Sequence, residues 1–211
     1  MSEQKQRKER LRNRQGGSWG TASTMYFHAV ELVFRESAKA VADDPTKTSR
    51  WVYAGVPVLM AGVEAFLIEH QHLLKDSSSI QTLAGVDPMR DVLRLYPFAN
   101  ELRLDLEALV EIRNQIVHPS SVPFGKPEWP ESLQRLRDWK VLDGNTPPQS
   151  GMHALALLAS HPVFEWAVER CAEALDVVAD SDPERSWMFR QSAKNLWRVL
   201  EKPTPQAAEV C

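Results

Sequence analysis

The constraint that rules out most folds lies in residues 49–74. From Trp51 to Ile68 this stretch carries one charge, Glu64, and its apolar positions fall nearly all round a helical wheel. A helix without a polar face has to be surrounded, so it belongs at the centre of a bundle. Pro57 interrupts it, either as a kink or as the true first turn. The uncharged run, residues 51–63, is too short to span a bilayer. The expectation is a core helix in a cytoplasmic protein with no membrane association.

The rest of the chain supplies the surrounding helices. Ser23 or Thr24 can cap a first helix reaching about Asp43, with Phe27, Val30, Leu32, Val33, Phe34, Ala38 and Val41 as its apolar positions. Asp87-Pro88 opens a short helix to about Leu95. Another runs from Ala99 or Leu104 to Val117, and Pro119 disfavours helical geometry at His118. Pro162 starts a helix reaching about Ala179, and Pro183 starts one reaching about Leu200. No segment alternates for long enough to argue for a sheet. The fold class is all-α.

Residues 119–152 differ in character. Pro119, Pro123, Pro127, Pro130, Pro147 and Pro148 fall there, around one amphipathic helix at about 131–141. This proline-rich excursion is either a functional loop or a surface insertion. Length favours one domain, residues 19–202, with a frayed end at 203–211. Residues 1–18 read as a disordered basic tail. Lys5, Arg7, Lys8, Arg10, Arg12 and Arg14 there oppose only Glu3 and Glu9, in a chain of net charge -3. Such a tail is an RNA-binding arm or a solvated appendage. No apolar segment follows it, as a secretory signal requires.

Several chemistries lack their residues. There is no phosphate-cradling glycine loop and no nucleophile elbow, and no cofactor is expected. Cys171 and Cys211 make no disulfide framework, and Cys171 reads as core. His70 and His72, beside Glu69, are two apart, the wrong spacing to share a helical face, so they mark a polar helix end and no metal site is expected. His153 and His161 flank a short apolar helix as structural or solvated groups. Lys126, Trp129 and Trp139 could stack on bases or anchor a loop to the core.

The one concentrated signal is the stretch 111–119, which ends in Arg113-Asn114, three residues, then His118-Pro119. On a wheel at about 100° per residue, Leu102, Leu106, Leu109, Val110 and Val117 form one stripe, with Ile116 at its edge. Arg113 falls in the middle of that stripe, and Glu107, Glu111, Asn114 and Gln115 on the other side. A buried guanidinium needs an anion. Glu64 is the candidate, so a buried Arg113–Glu64 ion pair is expected, one that can also hold the arginine ready for a phosphate. Asn114 and His118, four apart, are neighbours on the helix surface.

These residues resemble the HEPN family, whose signature is an arginine, often followed by a polar residue, and a histidine after a short spacer. Residues 61–66, with Glu64, resemble the second helix of many such domains. In architecture the likeness spans residues 22–200, and at motif level 61–68 and 111–119. It implies a helical bundle with the motif at a helix end, and a metal-independent endoribonuclease of bacterial toxin or anti-phage defence type. Arg113 would stabilise the scissile phosphate, His118 transfer protons, Asn114 position and Glu64 support. The implied partners are RNA, a second copy of the chain, and an antitoxin or a larger defence-complex protein. Some relatives are instead silent dimerisation or partner-binding modules, and that alternative stays open. One departure is Ser120, where toxins paired with nucleotidyltransferases often carry tyrosine.

Overall fold

The computed structural model describes residues 22–44, 48–74, 88–94, 96–118, 131–142, 151–181 and 186–201. The regular elements among them are all helices: α1 (Ala22–Ala40), α2 (Arg50–Leu74), α3 (Pro88–Arg94), α4 (Asn100–Val117), α5 (Glu131–Asp138), α6 (Gly151–Leu158), α7 (His161–Ser181) and α8 (Ser186–Leu200). The one pairing of extended backbone among the described residues is an isolated bridge between Thr48 and Ser160. The protein is mostly helical, as the absence of alternating segments implied. The basic tail, residues 203–211, and Ser120, Lys126 and Trp129 lie outside the described residues.

α2 is the central helix and packs against α1, α3, α4 and α7. Val52, Val56, Leu59, Met60, Val63, Phe66 and Leu67 are buried along it. Full burial of a side chain such as Leu67 or Phe66 contributes about 1.5–3 kcal/mol. Pro57 lies inside this helix and not in its first turn. Its bounds, Arg50–Leu74, agree with the stretch 49–74 read from the sequence. Over residues 50–70 its mean hydropathy of 1.7 is enough for a membrane span, yet half of that window is buried inside the bundle.

Two glycines set how closely the neighbours approach. A Cβ on Gly55 would run into the Phe164 ring of α7, and one on Gly62 would lie 2.8 Å from Phe27 of α1. Contacts that short leave no room for a methyl group.

α1 buries Phe27, Val30 and Phe34, one stripe at helical spacing. Leu32, expected among its apolar positions, is 68% exposed on the outer face. Neither expected N-cap holds that position, because the helix already begins at Ala22. Ser23 lies in the first turn, and its N–H and hydroxyl donate to the Glu69 carboxylate of α2, at 3.3 and 2.7 Å. That carboxylate faces the positive end of the helix dipole.

The starts of α2 and α7 meet. Ser49 N–H donates to the Ala159 carbonyl at 2.9 Å, and the Thr48 hydroxyl to that of Ala156 at 3.1 Å. Beneath them the buried hydroxyls of Ser37 and Ser49 are 3.1 Å apart, and His161 Nδ1 lies 3.0 Å from Ser37. Burial pushes the His161 pKa below its usual value, against the opposing charge of Glu165. This histidine is structural.

His70 is fully buried, not a polar helix end. Its Nδ1 pairs with the Tyr96 hydroxyl at 2.9 Å, which donates to the Leu67 carbonyl at 3.1 Å. Cys171 is core, as expected, and burial pushes its thiol pKa up.

Candidate functional site at the end of α4

α4 packs against α2, α3, α5, α6 and α7. Its buried positions are Leu102, Asp105, Leu106, Ala108, Leu109, Val110, Ile112 and Gln115. The expected stripe is therefore right along its first turns and wrong at its last. Ile116 is half-buried, Val117 is 46% exposed and His118 is exposed. Gln115, placed on the polar side by the wheel, is buried.

This decides the fate of Arg113. It lies in angular register with the leucines, but in the last turns the buried face has moved round to Ile112 and Gln115, and Arg113 is only half-buried. No ion pair joins it to Glu64 or to any other carboxylate among the described residues. The expected Arg113–Glu64 pair is thus absent. A guanidinium in reach of water needs no internal counterion, and Glu64 is itself only half-buried. Arg113 Nη1 instead donates to Asn114 Oδ1 at 2.6 Å.

Asn114 also anchors the end of the helix. The His118 N–H donates to the Asn114 carbonyl at 2.7 Å, with His118 as C-cap at φ -127° and ψ 68°. His118 has left helical geometry, as the following proline dictates. The structure thus brings Arg113, Asn114 and His118 to one solvent-facing turn, and leaves Glu64 apart from them. The six basic residues of the tail lie outside the described residues.

The buried charge of α4 is Asp105, which the sequence reading passed over. It is 1% exposed, and Arg135 Nε of α5 donates to its Oδ1 at 3.0 Å. Arg135 also binds Glu101 Oε2 at 2.7 Å. The two partners feel this pair differently. Burial raises the Asp105 pKa, outweighing the hydrogen bond and charge of Arg135 and the charge of Arg170. For Arg135, burial acts downward but Glu101 and Asp105 outweigh it, so its pKa rises. The carboxylate carries the desolvation because Arg135 keeps 21% of its side chain in water. Asp105 Oδ2 is buried without a hydrogen-bond partner among the described residues. The available signal was angular: Asp105 sits between Leu104 and Leu106, one helical turn after Leu102.

Behind this pair, Arg170 of α7 binds Glu169 and Glu173 at 3.2 and 2.9 Å. Its guanidinium carbon lies 5.8 Å from the centroid of the Trp139 ring. Burial raises the Glu173 pKa, against the lowering charge of Arg170. α5 is thus no detached part of a proline-rich excursion, since its Leu136 is fully buried and its arginine is tied to α4. It ends at Asp138 in a Schellman turn, with Val141 N–H on the Leu136 carbonyl and Lys140 N–H on that of Arg137. Lys140 takes the left-handed position at φ 56°, where glycine is usual.

Among the described residues, no group of three His, Cys, Asp or Glu side chains is arranged to hold a metal ion. No protein-family model, curated protein or solved structure matches the chain.

Proposed function

We propose that this chain is a HEPN-like, metal-independent endoribonuclease in which α4 presents Arg113, Asn114 and His118 to RNA. One observation carries the reading. Arg113 meets no carboxylate among the described residues and is oriented by Asn114, on an open turn that ends at an exposed histidine. A guanidinium held by a neutral neighbour keeps its full charge for an incoming phosphate.

The chemistry follows from those groups. The substrate 2′-oxygen bonds to the adjacent phosphorus, the bond from phosphorus to the 5′-oxygen breaks, and a cyclic phosphate and a free 5′-hydroxyl result. One proton leaves the 2′-oxygen and one reaches the 5′-oxygen. Histidine suits both transfers near neutral pH, and arginine's fork suits the charge building on phosphorus. One His118 cannot be base and acid at the same moment. A homodimer places two such turns at one cleft, and the exposed Val117 beside His118 offers apolar surface for it. The basic residues of the tail add phosphate contacts, and an antitoxin or a larger defence protein controls the activity.

The test is cleavage of RNA in the presence of EDTA by the parent, His118→Ala and Arg113→Ala proteins, beside light scattering. Cleavage by a dimeric parent and loss in both variants is expected. Parental cleavage by His118→Ala defeats the assignment. An inert parent that still dimerises leaves the silent partner-binding module as the function.

A further inference from the structure

Glu101, Arg135, Asp138 and Trp139 line an open groove of about 340 Å³ between the start of α4 and the end of α5. Trp139 keeps 51% of its surface exposed there. Its ring already lies against one guanidinium, that of Arg170, which Glu169 and Glu173 hold in place. The charges in the lining are not equivalent. Arg135 is committed to Asp105 and Glu101. The Asp138 carboxylate makes no hydrogen bond or ion pair among the described residues, and Glu101 remains largely in water. The groove therefore joins a backed, half-open indole to carboxylates with unused acceptors.

Such a surface repels a phosphate backbone and attracts a planar cation. We infer that this groove binds a guanidinium group, the side chain of an arginine on an exposed segment of a protein partner. The ring of Trp139 supplies the stacking surface, and Asp138 and Glu101 accept the hydrogen bonds of the fork. An ammonium gains the charge but neither the stacking nor the paired hydrogen bonds. A nucleotide gains the stacking but places its phosphate against the carboxylates. The inference does not depend on the nuclease reading, because none of these residues belongs to the turn of Arg113 and His118.

The experiment follows the Trp139 indole N–H of the full chain by two-dimensional NMR, assigned through Trp139→Phe. The probes are N-acetyl-argininamide, N-acetyl-lysinamide and uridine monophosphate. A saturable shift with the arginine probe is expected, several-fold weaker with lysine and absent with the nucleotide. Asp138→Asn should weaken arginine binding about fivefold, the scale of an exposed cation contact, and Asp138→Lys should abolish it. Asp138 makes no hydrogen bond or ion pair among the described residues, so circular dichroism should show both variants folded. Arginine affinity indifferent to both substitutions overturns the inference. So does a nucleotide that shifts Trp139 as strongly as arginine, which would make the ring a base platform. Tighter arginine binding after removal of residues 1–15 would show the chain's own tail as the occupant, which overturns the partner assignment.

Discussion

The two arginines that meet α4 teach opposite lessons. Arg135 reaches the middle of the helix and meets a carboxylate with almost no access to water. Arg113 belongs to the helix itself, points from the same angular sector as its leucines, and among the described residues meets a neutral amide and no carboxylate. The difference is which face of the helix is covered. Asp105 shares the buried face and is held by Arg135 of α5, whereas Arg113 lies between buried Ile112 and Gln115 but is itself only half-buried. Charge on the buried face is paired within the fold; the charge near the helix end has no carboxylate partner among the described residues.

The sharpest way to break this contrast is Arg135→Ala. It strands the buried Asp105 carboxylate and should cost roughly 3 kcal/mol or more in a denaturant melt. Replacing both residues with apolar ones should recover much of the loss. A single variant as stable as the parent would mean that the covered part of α4 is no more constrained than its end.

The covered side also ends in strain. Lys140→Gly should stabilise the protein by about 0.5–1 kcal/mol, because glycine takes positive φ without a Cβ clash. No gain in the melt would show the strain to be offset by contacts of the lysine.

Acid separates buried groups by sign. The folded pKa of His161 lies below its ordinary 6.5, so the unfolded chain binds the proton more readily. The His161 contribution is present above that pH and is lost as pH falls below it. Asp105 runs the other way: its folded pKa is raised above 3.8, so its penalty at neutral pH is relieved as the carboxyl takes up a proton. Melts of the parent and of His161→Asn on either side of pH 6.5 should converge on the acid side. A constant gap would remove His161 from the account.

The smallest expected stability effect is at the open end. Arg113→Ala should stay within about 0.5 kcal/mol of the parent while RNA cleavage is lost. A loss as large as that of Arg135→Ala would restore the ion pair with Glu64 that the sequence suggested.

Much of the bundle was readable because helix periodicity and proline position are local signals. The bounds of α2 and α4, the core role of Cys171 and the departure of His118 from the helix all follow from neighbours in the chain. What failed was the turning of the buried face along α4, from Leu102 and Leu106 to Ile112 and Gln115. The wheel treats each turn of α4 alike, so it placed Arg113 in the core and Gln115 in solvent. The outward place of Leu32 was legible, because at about 100° per residue it falls opposite Phe27, Val30 and Phe34. Arg135 was invisible for another reason: its partner lies thirty residues away on a separate helix, and no spacing rule links them. That Arg113, Asn114 and His118 lie close together needed no tertiary contact, since they fall within one short stretch at the end of α4.

The carboxylate of Glu69 at the start of α1 has a consequence for motion. An end turn normally frays, and its first amides exchange quickly with solvent. Here the Ser23 amide is tied to a side chain near the far end of α2. The first turn of α1 therefore opens only when that contact is released, and amide exchange at Ser23 should slow or quicken with the C-terminal turns of α2. Two segments far apart in sequence would then report one opening event.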